Sequence, residues 1–297
     1  MSLRVAYGPR DMITHILEAP GVNLAYDIRE AEGGSDLPPL MLIGSPMDAA
    51  GFVTLAGHFP DRTVVTYDPR GTARSEKTNG ASTSTPEQHA DDIHRVIAAV
   101  GRGPVDLFAT SGGAVNALAL VAAHPDDVRT LVAHEPPTGQ VLPDREEALA
   151  ATTSIGETYQ RDGLGPAMAK FIALVSHKGP IPAGWGDQPG PDPAMFGLPT
   201  EDDGRRDDPL VGQNITTCTH YLPDFDALRA ASTRIVLAAG AESEGEMAHR
   251  GALGVAERLG TEPVIFPSNH GGFLGGEYGQ AGDPDGFAAK LREVLAA

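Results

Sequence analysis

Six short, nearly all-apolar runs separated by helical patterns are the feature that most constrains how this chain can fold. They fall at 39–44 (PLMLIG), 62–69 (RTVVTYDP), 104–110 (PVDLFAT), 130–135 (TLVAHE), 234–240 (RIVLAAG) and 262–267 (EPVIFP). Strands buried on both faces need such continuous apolarity, and that is the condition of a parallel sheet. Thr85-Pro86-Glu87-Gln88 reads as a helix start, with a Thr cap, Pro at the first position and Gln three residues after the cap. Ala90, Ile93, Ile97 and Val100 then form one apolar face. Residues 114–123 are apolar nearly all round apart from Asn116, which predicts a buried helix; 247–260 and 285–296 are amphipathic. Residues 12–20 and 23–30 read as an outer hairpin turning at Pro20-Gly21. This alternation predicts an α/β fold: a mostly parallel, doubly wound sheet of about eight strands.

One region breaks the rhythm. Residues 137–222 hold no good strand; 146–160 and 166–176 read as helices, and 180–209 carries seven prolines and five glycines, the composition of an irregular loop. We therefore expect a helical cap at 137–222, inserted between a first core segment at 1–136 and a second at 223–297.

A hydrophobic content of 41% in 297 residues is compatible with a full core. Lys and Arg number 22 against 40 Asp and Glu, a net charge of −18, which disfavours nucleic acid and anionic membranes as partners. Glu201-Asp202-Asp203 and Asp207-Asp208 lack the ligand spacing of a calcium loop and read as solvated. With Cys218 as the single cysteine, no intramolecular disulfide can form. No apolar run approaches the roughly 18–20 residues of a membrane span, and the opening MSLRVAYGPRDM has no segment of signal-peptide type. The expectation is a cytoplasmic protein with a small-molecule partner, no nucleic-acid or membrane partner, and room for a homo-oligomer.

The stretch 108–120, FATSGGAVNALAL, begins as a buried strand and ends as a buried helix. Between them stands Ser111, with small residues two positions before it (Ala109) and two after (Gly113). A Ser-Gly-Gly turn can simply cap a helix. A nucleophile elbow needs this same strand–turn–helix setting and small flanks, so that a strained turn can present the hydroxyl. The helix N-terminus behind it offers free N–H groups to a developing oxyanion.

Four stretches carry a resemblance: 42–52 (LIGSPMDAAGF), 67–75 (YDPRGTARS), 108–114 (FATSGGA) and 267–273 (PSNHGGF). Together they resemble the α/β-hydrolase fold superfamily, in the capped group of prolyl iminopeptidase-like and haloperoxidase-like esterases. The likeness spans essentially the whole chain and is weakest across the cap. The second stretch resembles that family's Asp-x-Arg-Gly-x-Gly-x-Ser loop, with Ala73 at the second Gly, and Asp68 and Arg70 read as pinning a turn.

The family order is Ser, acid, His. It implies Ser111 as nucleophile and His270, in the glycine-rich loop after the last strand, as general base. His134, beside Glu135, is the best decoy; His124 and His249 stand in poorer positions. The acid should follow the strand 234–240, where Glu242 is the first candidate and Glu244 an alternative; an acid one strand earlier would be Glu135. The oxyanion donors implied are the N–H groups of Gly112 and Ser45, with Met47 as backup, since Pro46 cannot donate. Where the family usually carries His-Gly-x-Pro, this chain has Ile43-Gly44-Ser45-Pro46, so support of the oxyanion loop differs here.

The implied activity is a serine hydrolase that cleaves an ester, lactone or amide of a small molecule through an acyl-enzyme, with no cofactor or metal. Alternatives are a prolyl-iminopeptidase-like aminopeptidase, a cofactor-free perhydrolase, and a catalytically silent binding member of the fold. Trp185, Phe171, Phe196 and Tyr221 are candidates either for an acyl pocket or for cap packing.

Overall fold

A computed structural model describes residues 12–297; residues 1–11, within the stretch read as free of a leader, lie outside the described residues. Strands β1 (Met12–Ala19), β2 (Val22–Arg29), β3 (Leu40–Ile43), β4 (Val64–Tyr67), β5 (Glu76–Lys77), β6 (Val105–Thr110), β7 (Val128–His134), β8 (Arg234–Gly240) and β9 (Val264–Phe266) build one sheet. Its order is β1-β2-β4-β3-β6-β7-β8-β9, with the two-residue β5 paired on β2. The β1–β2 hairpin and the β2–β4 pairing are antiparallel, and every pairing from β4 through β3 to β9 is parallel. The nine strands found among the described residues exceed the expected number by the minor strand β5.

Helices α1 (Val53–Gly57), α2 (Pro86–Val100), α3 (Gly112–Ala123), α4 (Arg145–Asp162), α5 (Leu164–Val175), α6 (Ile215–Thr219), α7 (Phe225–Ala230), α8 (Met247–Leu259) and α9 (Pro284–Ala296) complete the described chain. None is long and apolar enough to cross a membrane. The capping box predicted at Thr85 is present: its hydroxyl accepts from the Gln88 amide, and the Gln88 side chain accepts from the Thr85 amide.

Period-two side-chain alternation sends each central strand into two cores. Met41, Ile43, Leu107, Ala109, Leu131, Ala133 and Leu237 face the layer of α2, α3 and α8. Leu40, Leu42, Phe108, Val132, Val236 and Ala238 face α1 and α9. Both faces are covered, which is why these strands read as apolar without a polar side.

Helices α4, α5 and α6 lie between β7 and β8 in the chain and carry a core of their own, in which Ala151, Ile155, Tyr159, Ala167, Leu174 and Ile215 are buried. Phe171 and Trp185 pack against this small core, while Phe196 stays exposed. The proline-rich segment 180–209 contains only two short 3-10 turns.

The loop after β4 is pinned by charge. Arg70 reaches Asp92 of α2 through two hydrogen bonds of 2.6 Å, both side chains being buried. Asp68 accepts from the backbone of Ala49 and Arg74 and from the Arg74 guanidinium. In the acidic stretches at 201–203 and 207–208, Asp202 pairs with Arg206 and Asp207 with Arg205.

Candidate active site

The site is built where α/β sheets place their ligands, beyond the carboxyl ends of the parallel strands. Ser111 follows β6, Ser45 follows β3, Glu135 follows β7, Ser243 follows β8 and His270 follows β9.

Ser111 has φ 55° and ψ −131°, a backbone state that a residue with a side chain adopts only under strain. Its amide donates to the His134 carbonyl at 3.0 Å, which ties the corner to the end of β7. Its side chain makes no capping hydrogen bond to α3, unlike that of Thr85 on α2. Ser111 stands at the N-cap position of α3, yet capping does not occupy its hydroxyl, and the half-buried residue leaves that group free for other partners.

Close backbone contact explains the two glycines that follow. A Cβ on Gly112 would stand 2.5 Å from the Ser45 carbonyl oxygen, and one on Gly113 would stand 2.8 Å from the Gly44 backbone. The loop after β3 thus presses directly on the first turn of α3, which makes Ser45 and Gly112 neighbours. The side chain of Met47 folds back over Gly44 and Gly51.

His270 is where the sequence reading meets its correction. Its Nδ1–H donates to Oε2 of Glu135 at 2.5 Å. Glu242, the first candidate for that partner, is exposed, and its backbone carbonyl accepts from Lys178; Glu244 is exposed as well. The reason lies in the backbone. Glu135 takes φ 46°, which turns its carboxylate from the end of β7 beneath the β8 and β9 loops. The β8 loop, by contrast, turns only Ser243 inward, and the glutamates on either side of it point to solvent.

Glu135 is fully buried and fully partnered. Its Oε1 accepts the Gly240 amide at 2.8 Å and the Ser243 hydroxyl, while Oε2 accepts His270. Burial pushes its carboxyl up, but the His270 hydrogen bond, the neighbouring imidazoles and the Ser243 hydroxyl outweigh it and hold it at about 2. The group is an ionised acceptor at neutral pH, so it fixes His270 with Nδ1 protonated and Nε2 free to take a proton.

The other histidines are differently placed. His134 is buried beside His270, with ring centroids 5.9 Å apart, and is hydrogen-bonded to the Thr110 hydroxyl at 3.0 Å. Burial drives it down to about 4, so it stays neutral and packs among Phe108, Phe266, Phe273 and Phe287. His124 stacks on His94 at 3.9 Å, at the far end of α3 from Ser111. His249 is buried in the first turn of α8.

Sequence reasoning missed Ser243 entirely and ranked Glu135 last. The clue available was a carboxylate placed directly after His134 at the end of a buried strand and just before Pro136-Pro137, a position that a purely structural strand end does not require.

A parallel sheet with a strained serine corner at one strand end and a carboxylate-braced histidine at another defines a hydrolase of the α/β type. Comparison with known proteins agrees. Residues 40–173 match the family model described as the alpha/beta hydrolase fold. The uncharacterised hydrolase YraK of Bacillus subtilis (strain 168) is 31% identical over 271 residues, covering 86% of this chain and 89% of that protein. A thermophilic esterase from Thermogutta terrifontis superposes with a TM-score of 0.64 at 20% identity, covering 96% of this chain and 98% of the other. The enol-lactonase from Burkholderia xenovorans LB400 superposes with a TM-score of 0.65 at 15% identity, covering 95% and 100%. The chain belongs to the α/β-hydrolase fold family, and it is a hydrolase.

Proposed function

We propose that this hydrolase cleaves an ester or lactone of a small molecule through an acyl-enzyme on Ser111. The observation that carries the reading is the hydrogen bond from His270 to the buried, ionised Glu135, both standing just beyond the carboxyl ends of strands of the sheet in which β6 runs into the strained Ser111 corner. In this mechanism Nε2 of His270 takes the proton of Ser111, and Oγ attacks the substrate carbonyl carbon. The N–H groups of Ser45 and Gly112 hold the resulting oxyanion. Collapse expels the alcohol, which takes the proton from His270, and water then attacks the acyl-enzyme with His270 again as base. Glu135 keeps the imidazole in the required tautomer and stabilises its cation. The helical insert at 137–222 acts as a cap, and the surface it turns toward Ser111 selects the acyl group.

Esters and lactones are the first substrates to test, since the structural neighbours described by activity include an esterase and an enol-lactonase; a proline iminopeptidase among them keeps amides in the panel. The protein works inside the cytoplasm, in keeping with its net charge of −18 and single buried thiol.

The decisive experiment is labelling with a fluorophosphonate, comparing wild type with Ser111→Ala. Wild type labels at Ser111 and the variant does not. A p-nitrophenyl ester series of increasing acyl length, run beside a lactone and aminoacyl anilides, then fixes the class. An unlabelled wild type would return the chain to the silent binding members of the fold, and turnover of anilides alone would make it an aminopeptidase.

A further inference from the structure

The helical insert does more than cover the site: it reaches into the pocket that the proposed mechanism assigns to the oxyanion. Ser45 is buried, and its hydroxyl donates to Oδ1 of Asn214 at 2.9 Å, a buried hydrogen bond between residues 169 positions apart. Asn214 ends a five-residue π-helical turn (Leu210–Asn214) that leads into α6. Such turns are rare and concentrate at functional sites.

The orientation of the Asn214 amide is set from its other side. Nδ2 donates to the Pro209 carbonyl at 2.8 Å, so Oδ1 must face Ser45. One helical turn on, Cys218 donates its Sγ–H to the same Oδ1 at 3.3 Å. Its sulfur borders Gly112 so closely that a Cβ there would stand 3.2 Å away. The insert therefore touches both residues whose amides face the proposed pocket: Ser45 through Asn214 and Gly112 through Cys218.

Resting on the acyl-enzyme reading, we propose that Asn214 is a positioning residue for the reaction. It holds the Ser45 peptide, and hence its N–H, at the place where the oxyanion forms. Oxyanion stabilisation depends on donors held in place before the charge develops. A hydroxyl anchored by one fixed acceptor gives the loop after β3 that rigidity, and it makes the reaction rate depend on how the insert is seated. Asn214 itself touches no reacting atom; it acts through Ser45.

The test measures the rate of fluorophosphonate labelling at Ser111 in wild type, Ser45→Ala, Asn214→Ala and the double variant, with thermal unfolding recorded for each. Ser45→Ala keeps the backbone N–H and removes only the anchor. Each single change is expected to slow the bond-forming step about tenfold with little change in the concentration for half-saturation, as a small misplacement of a catalytic group does. The double variant is expected to be no slower than the slower single variant, since both remove one interaction. Wild-type labelling in Ser45→Ala, or two losses that multiply, overturns the proposal while leaving Ser111 as the nucleophile. Should Asn214→Ala fail to fold, Ser45→Ala alone decides the matter by the same criterion. An unlabelled wild type overturns this proposal and the acyl-enzyme reading together.

Discussion

Glu135 and His270, 135 residues apart in the chain, meet across the carboxyl ends of β7 and β9 through a hydrogen bond of 2.5 Å. Glu135 stands one strand earlier than the loop after β8; that loop contributes a hydroxyl, from Ser243, and the last residue of β8, Gly240, contributes an amide. The carboxylate is held by three donors from three segments, so its position is fixed even though it stands on a left-handed residue.

Glu135→Gln keeps the size of the side chain and removes its charge. The amide can donate to Nδ1 and so favours the wrong imidazole tautomer. Turnover of an activated ester should fall by about 10³–10⁴-fold, the scale of losing the orienting carboxylate in a Ser-His-acid system. Glu242→Gln and Glu244→Gln, altering exposed side chains with no contact to His270, should keep wild-type turnover. A kcat for Glu135→Gln within tenfold of wild type, or a collapse in Glu242→Gln, would place the acid elsewhere.

Local chemistry and strand burial leave marks in the sequence that long-range contacts do not. The strands β3, β4, β6, β7 and β8 could be read because burial on both faces leaves an unbroken apolar record, and Thr85 because capping is chemistry within four residues. Ser111 and His270 could be singled out through local motifs, and the structure places both just beyond strand ends. Glu135 was named only as the last alternative, because its contact with His270 comes from a backbone turn and from partners after β8 and β9 that sequence order does not reveal, while Glu242 and Glu244 offered the same chemistry in the expected loop. The contact of Asn214 with Ser45 was still less legible. It joins a short π turn, with no periodicity of its own, to a loop 169 residues away.

Acid should unfold this protein through buried histidines before its carboxylates titrate. Burial holds His134 at about 4, and burial together with the charges of Arg70 and Lys77 holds His89 at about 3. The unfolded chain takes up protons on these rings near the ordinary value of about 6.5, and the native state refuses them. Their contribution is thus fully present above about pH 6.5 and is lost as pH falls toward about 4 and then 3. Glu135 adds a second loss in the same direction, between the ordinary range for a glutamate and about 2. In urea unfolding at about pH 7 and about pH 4.5, wild type should lose more stability on acidification than His89→Gln. An equal pH dependence in the two proteins would show that His89 is not held neutral by the fold.

The Arg70–Asp92 pair ties a family motif to the scaffold, and its part in stability can be separated from any part in chemistry. Both side chains are buried, the two hydrogen bonds are parallel, and the pair locks the loop after β4 onto α2. Burial pushes the Asp92 carboxyl up, and Arg70 is the partner that opposes this. Arg70→Met leaves that carboxylate without a counter-ion and should cost about 3–5 kcal/mol of stability, because an uncompensated buried charge is expensive. Arg70→Met with Asp92→Leu removes both charges and should recover most of the loss, since an apolar replacement of a buried pair is often neutral. If Arg70 acted on the substrate, the double variant would regain its melting temperature and still fail to label with fluorophosphonate. If the pair is structural, labelling returns with stability, because every residue around Ser111 then stands where it stood before.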